Sequence, residues 1–149
     1  MANVNPTAPP ATKDAVRKVD YWYAVVSDAP GAANDVLQRL ARARVSLTAF
    51  LAFPTGAGKS QVDLVPADSA TFERDAKEAG VSLASTRKRA LLIQGSDRLG
   101  ALAEHLAKLA AQKVNVVAST AVATSGGGYG FLVWVKQDAV DAAAKALGA

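Results

Sequence analysis

Ser27-Asp28-Ala29-Pro30-Gly31-Ala32 returns 69 residues later as Ser96-Asp97-Arg98-Leu99-Gly100-Ala101. The same offset lays Leu37, Leu40, Ala41, Val45, Ala49, Ala52 and Thr55 on identical residues at 106, 109, 110, 114, 118, 121 and 124. The glycine-containing turn after it is one residue longer in the second copy, and an offset of 70 then puts Asp68 on Asp138. A period of this length means a repeated supersecondary unit, and what one copy folds into the other should fold into as well.

Around the quoted stretch, each copy reads the same way. Tyr21-Trp22-Tyr23-Ala24-Val25-Val26 and Ala90-Leu91-Leu92-Ile93-Gln94 are aromatic, aliphatic and β-branched runs of strand length. The Ser-Asp turn that follows breaks the strand and opens a helix, with Ser27 or Asp28 able to cap it and Pro30 placed for its first turn. Ala33, Val36, Leu37, Leu40 and Ala41 form one apolar face, as do Leu99, Leu102, Leu106 and Leu109. Strands are predicted over 45–53, 59–65, 114–122 and 129–135, joined by the turns Pro54–Gly58 and Ser125–Gly128. Asp68 and Asp138 stand at the starts of further helices over 70–79 and 139–147, and 81–87 is a possible fourth strand. The order βαββα(β) is that of an α+β, ferredoxin-like unit: an antiparallel sheet with helices on one face. The chain thus divides into a flexible N-terminal tail over 1–18, where Pro6, Pro9 and Pro10 sit among small polar residues, a first unit over 19–88 and a second over 89–149. The second unit ends where its own fourth strand should begin. Strand 90–94 therefore needs a neighbour: 81–87, the segment 16–20, or a second subunit.

The stretch Asp28-Ala29-Pro30-Gly31, followed by an amphipathic helix and Ala43-Arg44-Val45-Ser46-Leu47, resembles the signature of ACT domains. That signature is an acidic residue, any residue, Pro and Gly, then a helix and a short Gly-Ile/Val-Asn-Ile/Val run leading into strand two. The second copy resembles the end of it more closely, with Lys113-Val114-Asn115-Val116, and has Leu99 in the place of proline. The resemblance spans residues 20–149 and implies a tandem regulatory module that binds an amino acid or another small molecule at the turns between strand one and helix one, often across an interface between two units. Carried onto this chain, the implied ligand-binding residues are Asp28, Ala29, Pro30, Gly31 and Ser46 in the first copy, and Asp97, Arg98, Leu99, Gly100 and Asn115 in the second. The chemistry suits that role: glycine at a helix start lets N–H groups approach a carboxylate, and Asp28 or Asp97 is a partner for an ammonium group. The alternative is that these aspartates only cap helices and the glycines only permit the turns.

Composition narrows the remaining classes. The 149 residues are 50% hydrophobic and 20% charged, as in a globular protein, with net charge +4. With no cysteine and one histidine, His105, thiol catalysis, thiolate metal sites and multi-histidine metal sites are excluded within one chain. No catalytic set of acid, base and nucleophile assembles from the motifs, so no enzyme, no metal and no cofactor are expected. No apolar run reaches the length of a membrane span, and the start Met1-Ala2-Asn3-Val4-Asn5-Pro6 does not read as a secretory signal, so a cytoplasmic protein is expected. Gly56-Ala57-Gly58-Lys59-Ser60 looks like part of a phosphate-binding loop, but Gln61-Val62-Asp63-Leu64-Val65 alternates as a strand where such a loop needs a helix. Arg87-Lys88-Arg89 reads as a solvated linker, and the aromatics Tyr21, Trp22, Tyr23 and Phe50 as buried or interfacial, so nucleic acid is not the expected partner. The expected partners are an amino acid and a second copy of the chain. The rival expectation is a non-catalytic dimerisation or protein-interaction module that binds no small ligand.

Overall fold

The computed structural model describes residues 13–149. Six strands and four helices follow the order β1 (Ala15–Ser27), α1 (Ala32–Arg42), β2 (Leu47–Gly56), β3 (Lys59–Pro66), α2 (Phe72–Glu78), β4 (Lys88–Ser96), α3 (Ala101–Ala111), β5 (Val116–Ala123), β6 (Gly128–Val135) and α4 (Val140–Leu147). This is the α+β, ferredoxin-like class. The chain forms two compact units: a central one over Val19–Ala90, and a terminal one made of the residues up to Lys18 together with Leu91–Ala149.

In the central unit the strand order is β2-β3-β1. β3 pairs antiparallel with both neighbours, Leu64 facing Trp22 on one side and Phe50 on the other. Strand alternation turns Trp22, Val62 and Leu64 to the face that carries the helices. There they meet Val36 and Leu40 of α1 and Phe72 and Ala76 of α2. Trp22 is fully buried, its ring centroid 4.9 Å from that of Phe72 and its indole N–H donating to Glu73 Oε1 at 2.9 Å. Of the aromatics singled out in the sequence, Phe50 alone is largely exposed, because it lies on the edge strand.

The terminal unit repeats this order as β5-β6-β4, with β1 on the free side of β4. Leu91, Ile93, Phe131 and Val133 pack under Leu109 of α3 and Ala143 and Leu147 of α4. The expected tail over 1–18 is corrected here. Residues 1–12 lie outside the described residues, but from Ala15 the chain is strand. Val16 packs against the terminal core, and Lys18 pairs with Asp141 at the start of α4. Segment 81–87 is not a strand. It meets β1 at one residue, where Tyr23 O accepts from Ala84 N and Tyr23 N donates to Ser85 Oγ, so a hydroxyl replaces the carbonyl that would have continued a ladder.

The helix starts also differ from expectation. Gly31 and Gly100 are themselves the N-caps, at φ 88° and 83°, and neither α1 nor α3 has a side-chain cap. Asp68 accepts from Ala70 N at 2.9 Å in a local turn, and α2 begins only at Phe72. A short 3-10 turn, Gln137–Ala139, precedes α4. The helix ends match each other closely. Arg44 and Lys113, again 69 apart, both adopt positive φ (60° and 57°), and the next residue donates to Leu40 O or Leu109 O. A left-handed residue closes each helix at the position the ACT signature gives to glycine.

One buried acid is not part of any motif. Asp63 on β3 is 4% exposed and accepts from Gln61 Nε2 at 2.8 Å. Burial raises its carboxyl above 3.8 in spite of that bond, and Tyr21 nearby is pushed up to about 12 by burial and by the Asp63 charge. An acid whose folded pKa is raised costs stability as pH climbs from its unfolded value through the folded one, so the full cost is present at neutral pH. Asp63→Asn is therefore expected to stabilise the protein at pH 7 by about 1 kcal/mol. Urea midpoints at pH 7 check this, and a lower midpoint in the variant contradicts it.

Candidate functional site

In both units the turn after the first strand is pinned to the tip of the following hairpin. Asp28 N donates to Gly58 O at 2.9 Å, and Asp97 N donates to Gly127 O at 2.8 Å. Left-handed Gly31 or Gly100 then turns the chain into the helix, a φ that L side chains adopt only with strain. Beyond this shared backbone the two turns diverge. Asp28 Oδ1 accepts from Ser60 Oγ at 3.0 Å, which ties it to the hairpin. No partner is found for the Asp97 carboxylate among the described residues. Ala29 and Pro30 are exposed, and Leu99 stands wholly in solvent.

The second turn forms one wall of a cleft of about 690 Å³. Asp97, Arg98, Leu99 and Gly100 line it together with the start of α3, and the end of β5 (Ala121, Val122, Ala123) lies opposite. At that helix start the N–H groups of Ala101 and Glu104 return to Arg98 O and Gly100 O. Those of Leu102 and Ala103 have no acceptor among the described residues, the usual state of a helix N-terminus without a cap. The cleft thus offers two N–H donors, the positive end of a helix, one free carboxylate and apolar walls.

Asn115 does not belong to this cleft. It precedes Val116, the first residue of β5, whereas the cleft uses residues 121–123 at the other end. At about 3.3 Å per strand residue, that separation is on the order of 20 Å. Ser46 is similarly placed before the start of β2, exposed, with its carbonyl accepting from Ala67 N.

Arg98 borders the cleft, but its guanidinium is engaged elsewhere. Nη2 donates to Glu104 Oε2 at 2.8 Å, and Nη1 donates to both oxygens of Asp14 at 3.0 and 3.1 Å. Asp14, just ahead of β1, is the residue that sequence reasoning missed. Its Oδ2 also accepts from Tyr129 OH at 2.6 Å and lies 2.7 Å from His105 Nε2, which is 2.9 Å from the same tyrosine oxygen. An ionised Asp14 can only accept, which calls for the ring proton on Nε2, and Nδ1 is buried without a partner among the described residues. The Asp14 side chain is 4% exposed. Burial alone would push its carboxyl up, but the hydrogen bonds from Tyr129, His105 and Arg98, with the Arg98 charge, outweigh it and hold the carboxyl below 3.8. Tyr129 is pushed up to about 12 by its own burial and by Asp14. The visible signal was that His105 and Tyr129 occupy core positions of their elements and require a polar partner. No acid within residues 89–149 was an obvious candidate for it.

A further cavity of about 260 Å³ lies beside this cluster and includes Lys13, Glu104 and Lys108 in its lining. Among the described residues there is no group of three or more His, Asp or Glu placed to hold a metal ion, and no helix is long and apolar enough to cross a membrane.

No family model matches the chain, and no curated protein matches it. Solved structures do. A protein from Bacteroides thetaiotaomicron is similar at 17% identity with a TM-score of 0.70, over 91% of this chain and 89% of that one. The ligand-free regulatory subunit of aspartate kinase from Thermus thermophilus is similar at 17% identity and a TM-score of 0.62, over 93% and 97%. Aspartokinase alpha and beta subunits are similar at 16% identity and a TM-score of 0.60, over 92% and 95%. At these identities the likeness is one of fold: the chain shares an ACT-like fold with these structures.

Proposed function

We propose that this chain is a small-ligand sensing module, two ACT-like units in tandem, whose ligand is an amino acid bound at the Asp97–Gly100 turn. The cleft before α3 carries this reading, because it brings helix-start N–H donors and a carboxylate unpaired among the described residues together on one turn, the two kinds of group that the ends of an amino acid need. The carboxylate goes to the Leu102 and Ala103 N–H groups, where the helix dipole favours negative charge, and the ammonium goes to Asp97. The fold shared with aspartate kinase regulatory subunits supports a regulatory role rather than a catalytic one. The Asp28 turn is the weaker site, since Ser60 already holds its carboxylate.

A thermal-shift screen of the whole chain against the twenty amino acids tests this. A ligand at a hundred times its Kd adds about 2.7 kcal/mol to the folded state, which raises Tm by several degrees. One amino acid is expected to do so, and Asp97→Ala is expected to abolish its shift while Asp28→Ala largely keeps it. No shift with any amino acid refutes the reading.

Exposed Leu99, Leu102, Leu106 and Val122 favour a second reading, a module that dimerises through this surface and binds no small ligand. It predicts a dimer by light scattering that Leu102→Asp with Leu106→Asp dissociates, alongside a flat amino-acid screen. A homodimer is also compatible with the sensing reading, in which a second copy covers these leucines.

A further inference from the structure

Three of the terminal unit's departures from its repeat converge on one carboxylate. Gly95 stands where the first copy has Val26, His105 where it has Val36, and Tyr129 where it has Lys59. Val36 is an ordinary core residue of the central unit. The corresponding His105 and Tyr129 instead direct polar groups at Asp14. Gly95 makes the room, since a Cβ there would lie 1.9 Å from Asp14 Oδ1 and 2.7 Å from Cγ. Its φ is not in the left-handed region, so the glycine answers to the Asp14 side chain and not to a turn. Val26 at the matching position packs against the central core.

We propose that Asp14 is a positioning residue for the Asp97–Gly100 cleft, so that docking of the first residues of β1, up to Lys18, and the state of that turn form one coupled equilibrium. Arg98 is the link, because it lines the cleft and also the cavity that holds Asp14. With the strand docked, Asp14 and Glu104 together neutralise the guanidinium, and Asp97 is the free charge of the cleft. With that segment undocked, the Nη1 contacts to Asp14 are lost and Glu104 alone holds the guanidinium, which leaves Nη1 able to turn toward Asp97 and compete with a ligand's ammonium. Occupancy of the cleft therefore favours a docked strand, and by reciprocity a docked strand favours occupancy. This regulation rests on the ligand site proposed above, but the coupling itself is measured without ligand.

The whole chain is compared with Gly95→Ala, Arg98→Gln and the double variant. Two readouts are followed: the amide NMR resonances of Asp97–Ala103, and trypsin cleavage after Arg17 and Lys18 relative to cleavage after Lys136 in the same unit. Gly95→Ala adds a methyl aimed at Asp14 and nothing at the turn, yet it is expected to shift the Asp97–Ala103 resonances. Arg98→Gln is expected to speed cleavage in the strand on the order of tenfold, as loss of charged hydrogen bonds implies. The double variant is expected to be no faster than the faster single one, since both break the same link. Unchanged resonances over residues 132–135 of β6 show that the terminal unit is folded. If Gly95→Ala does not fold, Asp14→Asn carries the same expectation. Turn resonances at their wild-type positions, or a strand no more open in Arg98→Gln, overturn the coupling. A flat amino-acid screen beside positive results here refutes the ligand and leaves the coupling standing.

Discussion

Trp22→Ala is expected to destabilise the protein by about 3–5 kcal/mol, the range for removing a fully buried large aromatic. Trp22 is at the centre of the central core. It sits on β1 between the helices, against Phe72 at 4.9 Å and among Val36, Leu40, Val62 and Leu64, with no exposed surface. Two further contacts go with it: the indole hydrogen bond to Glu73 and the Arg87 guanidinium 5.5 Å above the ring. Both partners are largely open to water and rehydrate readily, so the cavity dominates the loss. Phe50→Ala is the control. Phe50 sits on the edge strand and is 39% exposed, so its truncation is expected to cost well under half as much. Urea unfolding followed by circular dichroism measures both. Equal, small losses would mean that the aromatic cluster is a surface, as a nucleic-acid stacking platform would be. A large gap between the two makes Trp22 core.

The contrast between these aromatics shows what the sequence could say. Composition and alternation placed β3, β4, β6 and the second half of β1, and the 69-residue repeat made the second unit a check on the first; in the structure the likeness extends to Arg44 and Lys113 in matching left-handed conformations. Periodicity also put Leu102 and Leu106 on the apolar side of α3, but both are exposed, and the buried positions are Ala101, His105 and Leu109. A stripe of leucines marks a face without saying whether that face is covered. Capping residues misled for a related reason. Asp28 and Asp68 have the right type and position, yet a glycine N-cap and a local turn satisfied the backbone first. The geometry of the turns after the first strands was legible because it is local, with Gly31 and Gly100 at the helix starts. Asn115 was not, because it and the cleft occupy opposite ends of one strand. Asp14 lay beyond reach altogether. Its partners are 84 to 115 residues away, and its own segment has no apolar period to mark it as structured.

Asp14→Ala is expected to cost about 3–5 kcal/mol at pH 7, because it leaves donors of Arg98, His105 and Tyr129 turned toward an acceptor that no longer exists. Its pH dependence separates this cause from lost packing. The folded-state pKa of Asp14 is lowered, so its stabilisation is complete above the unfolded carboxylate value, about 3.9, and is lost as pH falls through the lower folded value. The gap between wild type and Asp14→Ala should therefore be widest from pH 5 upward and narrow in stronger acid, below about pH 3. Asp14→Asn keeps the shape and one acceptor oxygen while removing the charge, and should fall between the two at pH 7. Urea midpoints at pH 7 and in acid decide the matter. A gap that does not change with pH would make Asp14 a space-filling residue, and the arginine, histidine and tyrosine around it incidental. A gap that closes in acid makes the ionised carboxylate the element that joins the N-terminal strand to Arg98. The first residues of β1 are then tied to the Asp97–Gly100 turn by a single group whose charge both of them need.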